Sequence, residues 1–348
     1  MKRRLICIIT AVFMTVFFMF VLSACGDKNE GNALNMAVNV KDYGAVGDGV
    51  HDDTAAIQRA LDDCRGTGGT IIIPDGVYPV SSCLIIYSNQ TLLLGENTTI
   101  KRNSDVKYML AVYTEWHYGR YNGTHNVTVI GGTWDGNKDI NEKLTIFNTC
   151  HSRDILFERC TFINGNGWHY IEINSSRFVR VKDCVFDGRV FWGKNPDGYS
   201  ELIQLDKAFG GYGPVYRNGK KMRYQNDSTA CADIIIENNT FYCDGTPALG
   251  NHKKLSYHKR VYFRDNTVYG TASISGTARG YITFTRFVRG VEIYGNRFYA
   301  QNAGAPNVGI TMHGRRKSSC LAYNNIFYGN FSEYFVGGIT AEDNIFNT

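Results

Sequence analysis

Apolar and polar residues alternate with a period of two over most of this chain, which is the spacing of half-buried β-strands. From residue 126 onward the alternation follows one template. An apolar-alternating run is followed by Asn, Cys or Gly, then one residue, then an aromatic or Val. The template recurs as Val127–Trp134, Ile155–Phe162, Val179–Phe186, Ile234–Phe241, Val261–Val268, Val291–Phe298, Cys320–Phe327 and Ile339–Phe346. The Asn/Cys/Gly position falls at residues 132, 160, 184, 239, 266, 296, 325 and 344, in steps of 28, 24, 55, 27, 30, 29 and 19. The step of 55 is two turns, or one turn with a long insertion. Strands at this spacing with no helix between them exclude βαβ units. They predict an all-β solenoid, a single-stranded right-handed parallel β-helix, with equivalent residues of successive coils about 4.8 Å apart.

Stacking the coils places Trp134, Phe162, Phe186, Phe241, Phe298, Phe327 and Phe346 in one interior column. Asn266, Asn296, Asn325 and Asn344 are expected as a ladder in a turn, in left-handed backbone and hydrogen-bonded to the next coil. Cys160 and Cys184 hold equivalent places and read as stacked core thiols. One helix is predicted, over residues 54–65, with Ile57, Ala60, Leu61 and Cys64 on one face. Asp52 and Asp53 stand where carboxylates suit the N-cap and the helix dipole. This helix covers the open N-terminal coil, whose bare edge would otherwise invite association. The Asp48/Asp52/Asp53 cluster reads better as turn and cap than as a calcium loop.

Each coil carries a second alternating strand: Thr145–Asn148, Ile171–Asn174, Ile203–Asp206, Ile282–Thr285 and Ile310–His313, with Ala248–Asn251 a looser member. Period two turns Ile171, Ile203, Ile282 and Ile310 inward. The outward columns are then Glu172, Gln204, Thr283, Thr311 and Asn174, Asp206, Thr285, His313. One exposed parallel sheet thus displays a stripe of polar and ionisable groups able to bind an extended polymer.

Composition changes the picture at one end only. The 348 residues carry 37 Lys and Arg against 32 Asp and Glu, a formal +5. Ordinary apolar content and 37 unperiodic Gly exclude a disordered or collagen-like chain. One apolar run excludes a polytopic membrane protein. Lys2, Arg3 and Arg4 precede the charge-free run Leu5–Val21, so residues 1–24 read as an export signal. They remove three basic residues and no acids, and the charge of the remainder falls to +2, which gives no case for nucleic acid. Leu22-Ser23-Ala24-Cys25 resembles a bacterial lipoprotein lipobox. The resemblance implies lipidation at Cys25, a polar tether over residues 25–36, and an extracytoplasmic domain over 37–348 held at the bacterial cell membrane. Export permits disulfides, and Cys64–Cys83 and Cys231–Cys243 are near enough in sequence to bridge.

The segment Val38–Ile57, containing Asp42-Tyr-Gly-Ala-Val-Gly-Asp48, and Gly68-Gly-Thr-Ile-Ile-Ile-Pro-Asp-Gly-Val-Tyr78 after it, resemble the N-terminal part of the pectate lyase superfamily. The likeness is to its rhamnogalacturonase- and epimerase-like branch, related to glycoside hydrolase family 28. It implies the parallel β-helix and a carbohydrate-active role but not the reaction. The polygalacturonase signature is not met. Asn148-Thr149-Cys150 has Cys where Asp is needed, Gly250-Asn251-His252 is not Gly-His-Gly, no Asp pair follows Asp63, and Arg180-Val181-Lys182 comes too early in the chain. No catalytic residue carries over from that group.

The catalytic candidates therefore come from the stripe. Glu172 and Asp206 lie on adjacent coils, offset by two residues, with Cα atoms roughly 8 Å apart. Rotation brings their carboxyls into the range glycosidases use. Crowding of two carboxylates raises the pKa of one and supplies the acid. Glu201 and His252 are the next candidates. Substrate-binding candidates are His169, Asn174, Gln204, His258, Arg286 and His313, with Tyr212 and Tyr216 on an insertion, residues 209–231, that leaves the coil directly after Asp206 and is expected to wall the site. His169 and Glu201 turn inward by parity unless their strands begin after them.

The leading function is hydrolysis of a polysaccharide by the Glu172/Asp206 pair, which requires no cofactor and no metal. The alternative is β-elimination of a uronide with Arg286, Lys207 or His252 as base, in which Ca²⁺ would neutralise the carboxylate. The rival from another class is a non-catalytic glycan-binding or adhesive surface protein. Expected partners are the polysaccharide, the membrane through the lipid anchor, and a further copy of the chain through the uncapped C-terminal end.

Overall fold

The computed structural model describes residues 36–187, 200–208, 216–217, 220–243, 245–251, 257–270, 280–285, 287–301, 307–313 and 320–348. The chain winds through three long parallel sheets of eleven, nine and ten strands, a right-handed parallel β-helix. The eleven-stranded sheet opens with Ala37–Asn39, the nine-stranded sheet with Leu84–Ile86 and the ten-stranded sheet with Gly76–Val80. In each middle coil the chain passes from the nine- to the eleven- to the ten-stranded sheet. Arg177–Lys182 pairs directly with Ala232–Glu237, so the step of 55 is a single coil with insertions.

The corner between the eleven- and ten-stranded sheets is the same in every coil from His125 onward: two residues separate the strands. The first is left-handed in each, as Gly131, Arg159, Asp183, Asn238, Asp265, Gly295, Asn324 and Asp343. The second is the template position. This corrects the expectation for the asparagines, because the residue before each one carries the positive φ. The Asn side chains do the stacking. Nδ2 of Asn239, Asn266, Asn296 and Asn325 donates to Oδ1 of the next Asn at 3.0, 3.1, 2.9 and 2.9 Å. Each Oδ1 also accepts a backbone N–H from the coil before. In the earlier coils Cys160 and Cys184 take these places, buried, with thiols directed at backbone carbonyls.

Next to the ladder the aromatic column fills the interior. Phe162–Phe186, Phe186–Phe241 and Phe298–Phe327 stack with centroids 4.8, 4.7 and 4.9 Å apart. Val268 occupies the column between Phe241 and Phe298. A second file, Tyr242–Tyr269–Tyr299–Tyr328, stacks on the outer face of the same sheet at 5.1, 4.9 and 4.6 Å.

The helix spans Thr54–Asp63, two residues shorter than the expected 54–65, with Cys64 as its C-cap. Ile57, Ala60, Leu61 and Cys64 are fully buried against the first coil. The acidic cluster is bound into turns, and Asp53, though at the N-cap position, makes no side-chain bond to the helix. Asp48 accepts the Val50 and His51 N–H groups, Asp52 accepts Thr54 N–H, and Asp53 ties down Val46 and Gly47. The eight described cysteines are free thiols, so neither suggested bridge forms.

Candidate functional site

The nine-stranded sheet carries the polar stripe. Glu172 is level with Gln204, and Asn174 with Asp206. Glu172 and Asp206 therefore stand on adjacent coils two register positions apart, as the period-two reading places them. Two neighbouring strands differ from that reading. Phe147, not Thr145, is level with Ile171, so Asn148 sits beside Glu172 and donates Nδ2–H to its Oε2 at 2.8 Å. Leu249, not Ala248, is level with Ile203, and Asn251 joins Leu205 in the inward column.

The middle of the stripe is also not exposed. Glu172, Gln204 and Asp206 are 6%, 4% and 4% accessible and Asn174 is fully buried. His169 and Glu201 precede their strands, Ile171–Asn174 and Ile203–Asp206, and are buried together. His169 Nδ1 lies 2.7 Å from the Glu201 carbonyl oxygen and 3.9 Å from its carboxylate. Segment 222–231 runs back across earlier coils: Gln225 N–H donates to the Tyr118 carbonyl, the His151 ring meets the Gln225 carbonyl, and Ser175 Oγ–H donates to the Thr229 carbonyl.

At the corner that follows Asp206 the fold buries two basic groups. Lys207 is 1% accessible, and its Nζ has no hydrogen-bond partner among the described residues. Burial lowers its pKa, opposed by the charge of Asp206. Asp206 Oδ1 accepts the Lys207 backbone N–H at 2.8 Å. His258 was expected among the substrate-binding residues. It instead opens the strand His258–Arg264 and is fully buried, with Nδ1 accepting the Cys231 N–H at 3.0 Å. Burial, with the Lys207 charge as second cause, pushes its pKa down to about 3. Burial likewise pushes the Cys231 thiol up to about 12, so it remains a neutral donor to the Asp206 carbonyl.

The other expected residues divide. His313 ends the strand Val308–His313 and is exposed. Tyr216 lies in a short antiparallel pairing with Lys220–Lys221. Cys25, Tyr212, His252 and Arg286 lie outside the described residues. Asn148 and the burial of Lys207 and His258 escaped the sequence reading. The Asn148 signal was present, since Phe147 continues the inward apolar column. The burial had no local signal, because it depends on how the insertion folds. Among the described residues no cluster of three or more His, Cys, Asp or Glu side chains forms a metal-binding set, so no step is routed through Ca²⁺.

The model of the family described as "Rhamnogalacturonase A/epimerase, pectate lyase-like" matches residues 37–195. The chain is 30% identical over 229 residues to plasmin and fibronectin-binding protein A of Streptococcus pneumoniae, covering 59% of this chain and 31% of that protein. It is 30% identical over 239 residues to mannuronan C5-epimerase AlgE1 of Azotobacter vinelandii, covering 62% of this chain and 16% of that one. The matched span is thus less than a third of either curated relative. The crystal structure of PfbA, a surface adhesin of Streptococcus pneumoniae, superposes with a TM-score of 0.67 at 22% identity, covering 90% of this chain and 79% of that one. The N-terminal motif, the family match and the coil-by-coil register agree: the chain is a right-handed parallel β-helix whose residues 37–195 match the pectate lyase-like family.

Proposed function

We propose that the chain is an extracellular carbohydrate-active protein, tethered through Cys25, that hydrolyses a polysaccharide bound across the nine-stranded sheet. The observation that carries this is the placement of two carboxylates on one face of adjacent coils, two register positions apart. That separation suits a glycosidase pair. Asp206 accepts the Lys207 amide and lies within electrostatic reach of its ammonium, so it takes the role of base or nucleophile. Glu172, which accepts a hydrogen bond from the Asn148 amide, takes the role of acid to the leaving oxygen. Burial strengthens both interactions by excluding water.

A second reading, proton abstraction beside a uronate carboxylate, is favoured by Lys207. A buried amine of lowered pKa with no hydrogen-bond partner has the character of a general base. Likeness to a mannuronan C5-epimerase points the same way.

The test is digestion of a glycan panel by the protein and by Glu172→Gln and Asp206→Asn. Hydrolysis yields new reducing ends without ultraviolet absorbance, lost at least a hundredfold in both variants. Unsaturated, ultraviolet-absorbing products that vanish in Lys207→Met would replace hydrolysis with elimination. Retained activity in both carboxylate variants, or none on any glycan, would turn the reading to the adhesive class.

A further inference from the structure

Where the middle coils pass from the nine- to the eleven-stranded sheet, a groove of about 590 Å³ opens beside the stripe. Arg120, Lys259 and Arg289 line it with Tyr121 and Tyr257, and residues 228–231 complete the lining. Among the described residues no carboxylate lines it, and Glu172, Gln204 and Asp206 are not part of it.

The register makes this concentration of charge unusual. Arg153, Arg177, Ala232, Lys259 and Arg289 form one column down the eleven-stranded sheet. The first two cations are neutralised: Arg153 pairs with Asp154 and Arg177 with Asp233, each at 2.6 Å. Arg260, next to Lys259, also uses Asp233. Lys259 and Arg289 are level with each other, both exposed, and neither has a carboxylate partner among the described residues. Like charges directly opposite across a strand pair are destabilising. The third cation is fixed at a further cost. Arg120 is left-handed, φ 49°, and its N–H is held by Asp227 at 2.5 Å.

The tyrosines are fixed too. Tyr121 donates its hydroxyl to the Ala230 carbonyl at 2.7 Å, and the Arg289 guanidinium lies 4.0 Å over the Tyr257 ring. Rigid aromatics among unpaired cations suit a ligand with an apolar face and an anionic group. The volume is too large for a lone oxyanion and falls in the range of small-molecule sites, about 300–1,000 Å³. We propose that this groove is a second binding site, separate from the stripe, for a sugar-sized ligand carrying a carboxylate or sulfate. It does not depend on the chemistry assigned to Glu172 and Asp206.

The test is calorimetric titration at low salt with trigalacturonate, a sulfated galactan trisaccharide, the neutral galactan trisaccharide and inorganic sulfate. At least one acidic trisaccharide should bind tenfold or more tightly than the neutral one. The double variant Lys259→Ala/Arg289→Ala should lose at least tenfold of that affinity, while Glu172→Gln/Asp206→Asn should keep it. Both changes at the groove are on exposed residues, and thermal melting no lower than that of the native chain verifies the fold. Equal binding of the neutral sugar, no binding of either acidic one, or a loss confined to the stripe variant would overturn the proposal. So would inorganic sulfate matching the trisaccharide, which would mark a free-oxyanion site.

Discussion

Asn296→Ala removes one rung from the middle of the asparagine ladder. Asn296 is fully buried and makes four side-chain hydrogen bonds. Its Nδ2 donates to the Phe263 carbonyl and to Asn325 Oδ1, both at 2.9 Å. Its Oδ1 accepts the Asn266 N–H at 2.9 Å and Asn266 Nδ2 at 3.1 Å. Four bonds at a net of about 1 kcal/mol each give about 4 kcal/mol. The Asn266 N–H is then left buried without a partner, adding about 1–3 kcal/mol. Alanine is too small to refill the space and water is excluded, so the loss is about 5–7 kcal/mol. A domain stable by about 5–15 kcal/mol would lose a large share of its margin. Urea unfolding followed by circular dichroism reads the effect as a lowered midpoint. Asn344→Ala, at the half-exposed end of the ladder, is the internal control and should cost about 1–2 kcal/mol. Asn296→Ala costing less than about 2 kcal/mol, or no more than Asn344→Ala, would refute the view that the ladder holds the coils in phase.

The two buried basic groups at the corner after Asp206 give further predictions. His258 has its pKa lowered to about 3 in the fold against 6.5 ordinarily, so the unfolded chain takes up the proton first. Its contribution is therefore present above about pH 6.5 and lost as pH falls toward about 3. The urea midpoint should drop more steeply from pH 7 to pH 4.5 in the native chain than in His258→Gln, and parallel profiles would exclude the effect. Lys207→Met replaces a buried amine lacking a hydrogen-bond partner with an apolar chain of similar length. It should raise stability by about 1–3 kcal/mol, read from the same unfolding curves; a loss of stability would mean the ammonium is well compensated.

How much of this was legible in the sequence depended on which corner a residue follows. Strands after the invariant two-residue corner keep their phase, so the sequence spacing of Phe162, Phe186, Phe241, Phe298 and the asparagines matches their registers. The strands of the nine-stranded sheet follow connections of changing length, so nothing local fixes their phase. Thr145–Cys150 was misaligned by two residues and Leu249–Asn251 by one for that reason. Ile171 and Ile203 were aligned because the Ile-x-Ile/Leu pattern is the same in both. Parity places Glu172 and Asp206 on one face but carries no information on their burial. The contact of segment 222–231 with Tyr118, His151 and Ser175 closes loops of over fifty residues, which no window of sequence reports. The left-handed residue had a readable signal, since Asp183, Asn238, Asp265, Asn324 and Asp343 are the residue types that tolerate positive φ.

The invariant corner also governs how such a chain can change. It acts as a metronome: every circuit of the solenoid is reset to the same phase at the same place, whatever happened on the way round. The two other corners flank the polar sheet, and their connections run from the single residue between Gly337 and Ile339 to the whole stretch between Asp206 and Ala232. Loops there can be lengthened, exchanged or deleted without disturbing the pitch of the coils above and below. A duplicated circuit would shift everything beyond it by one rung and leave every neighbouring contact of the same kind. The stripe is thus a keyboard of fixed key spacing with interchangeable surrounds, and the surface around it can be remade by editing the surrounds alone.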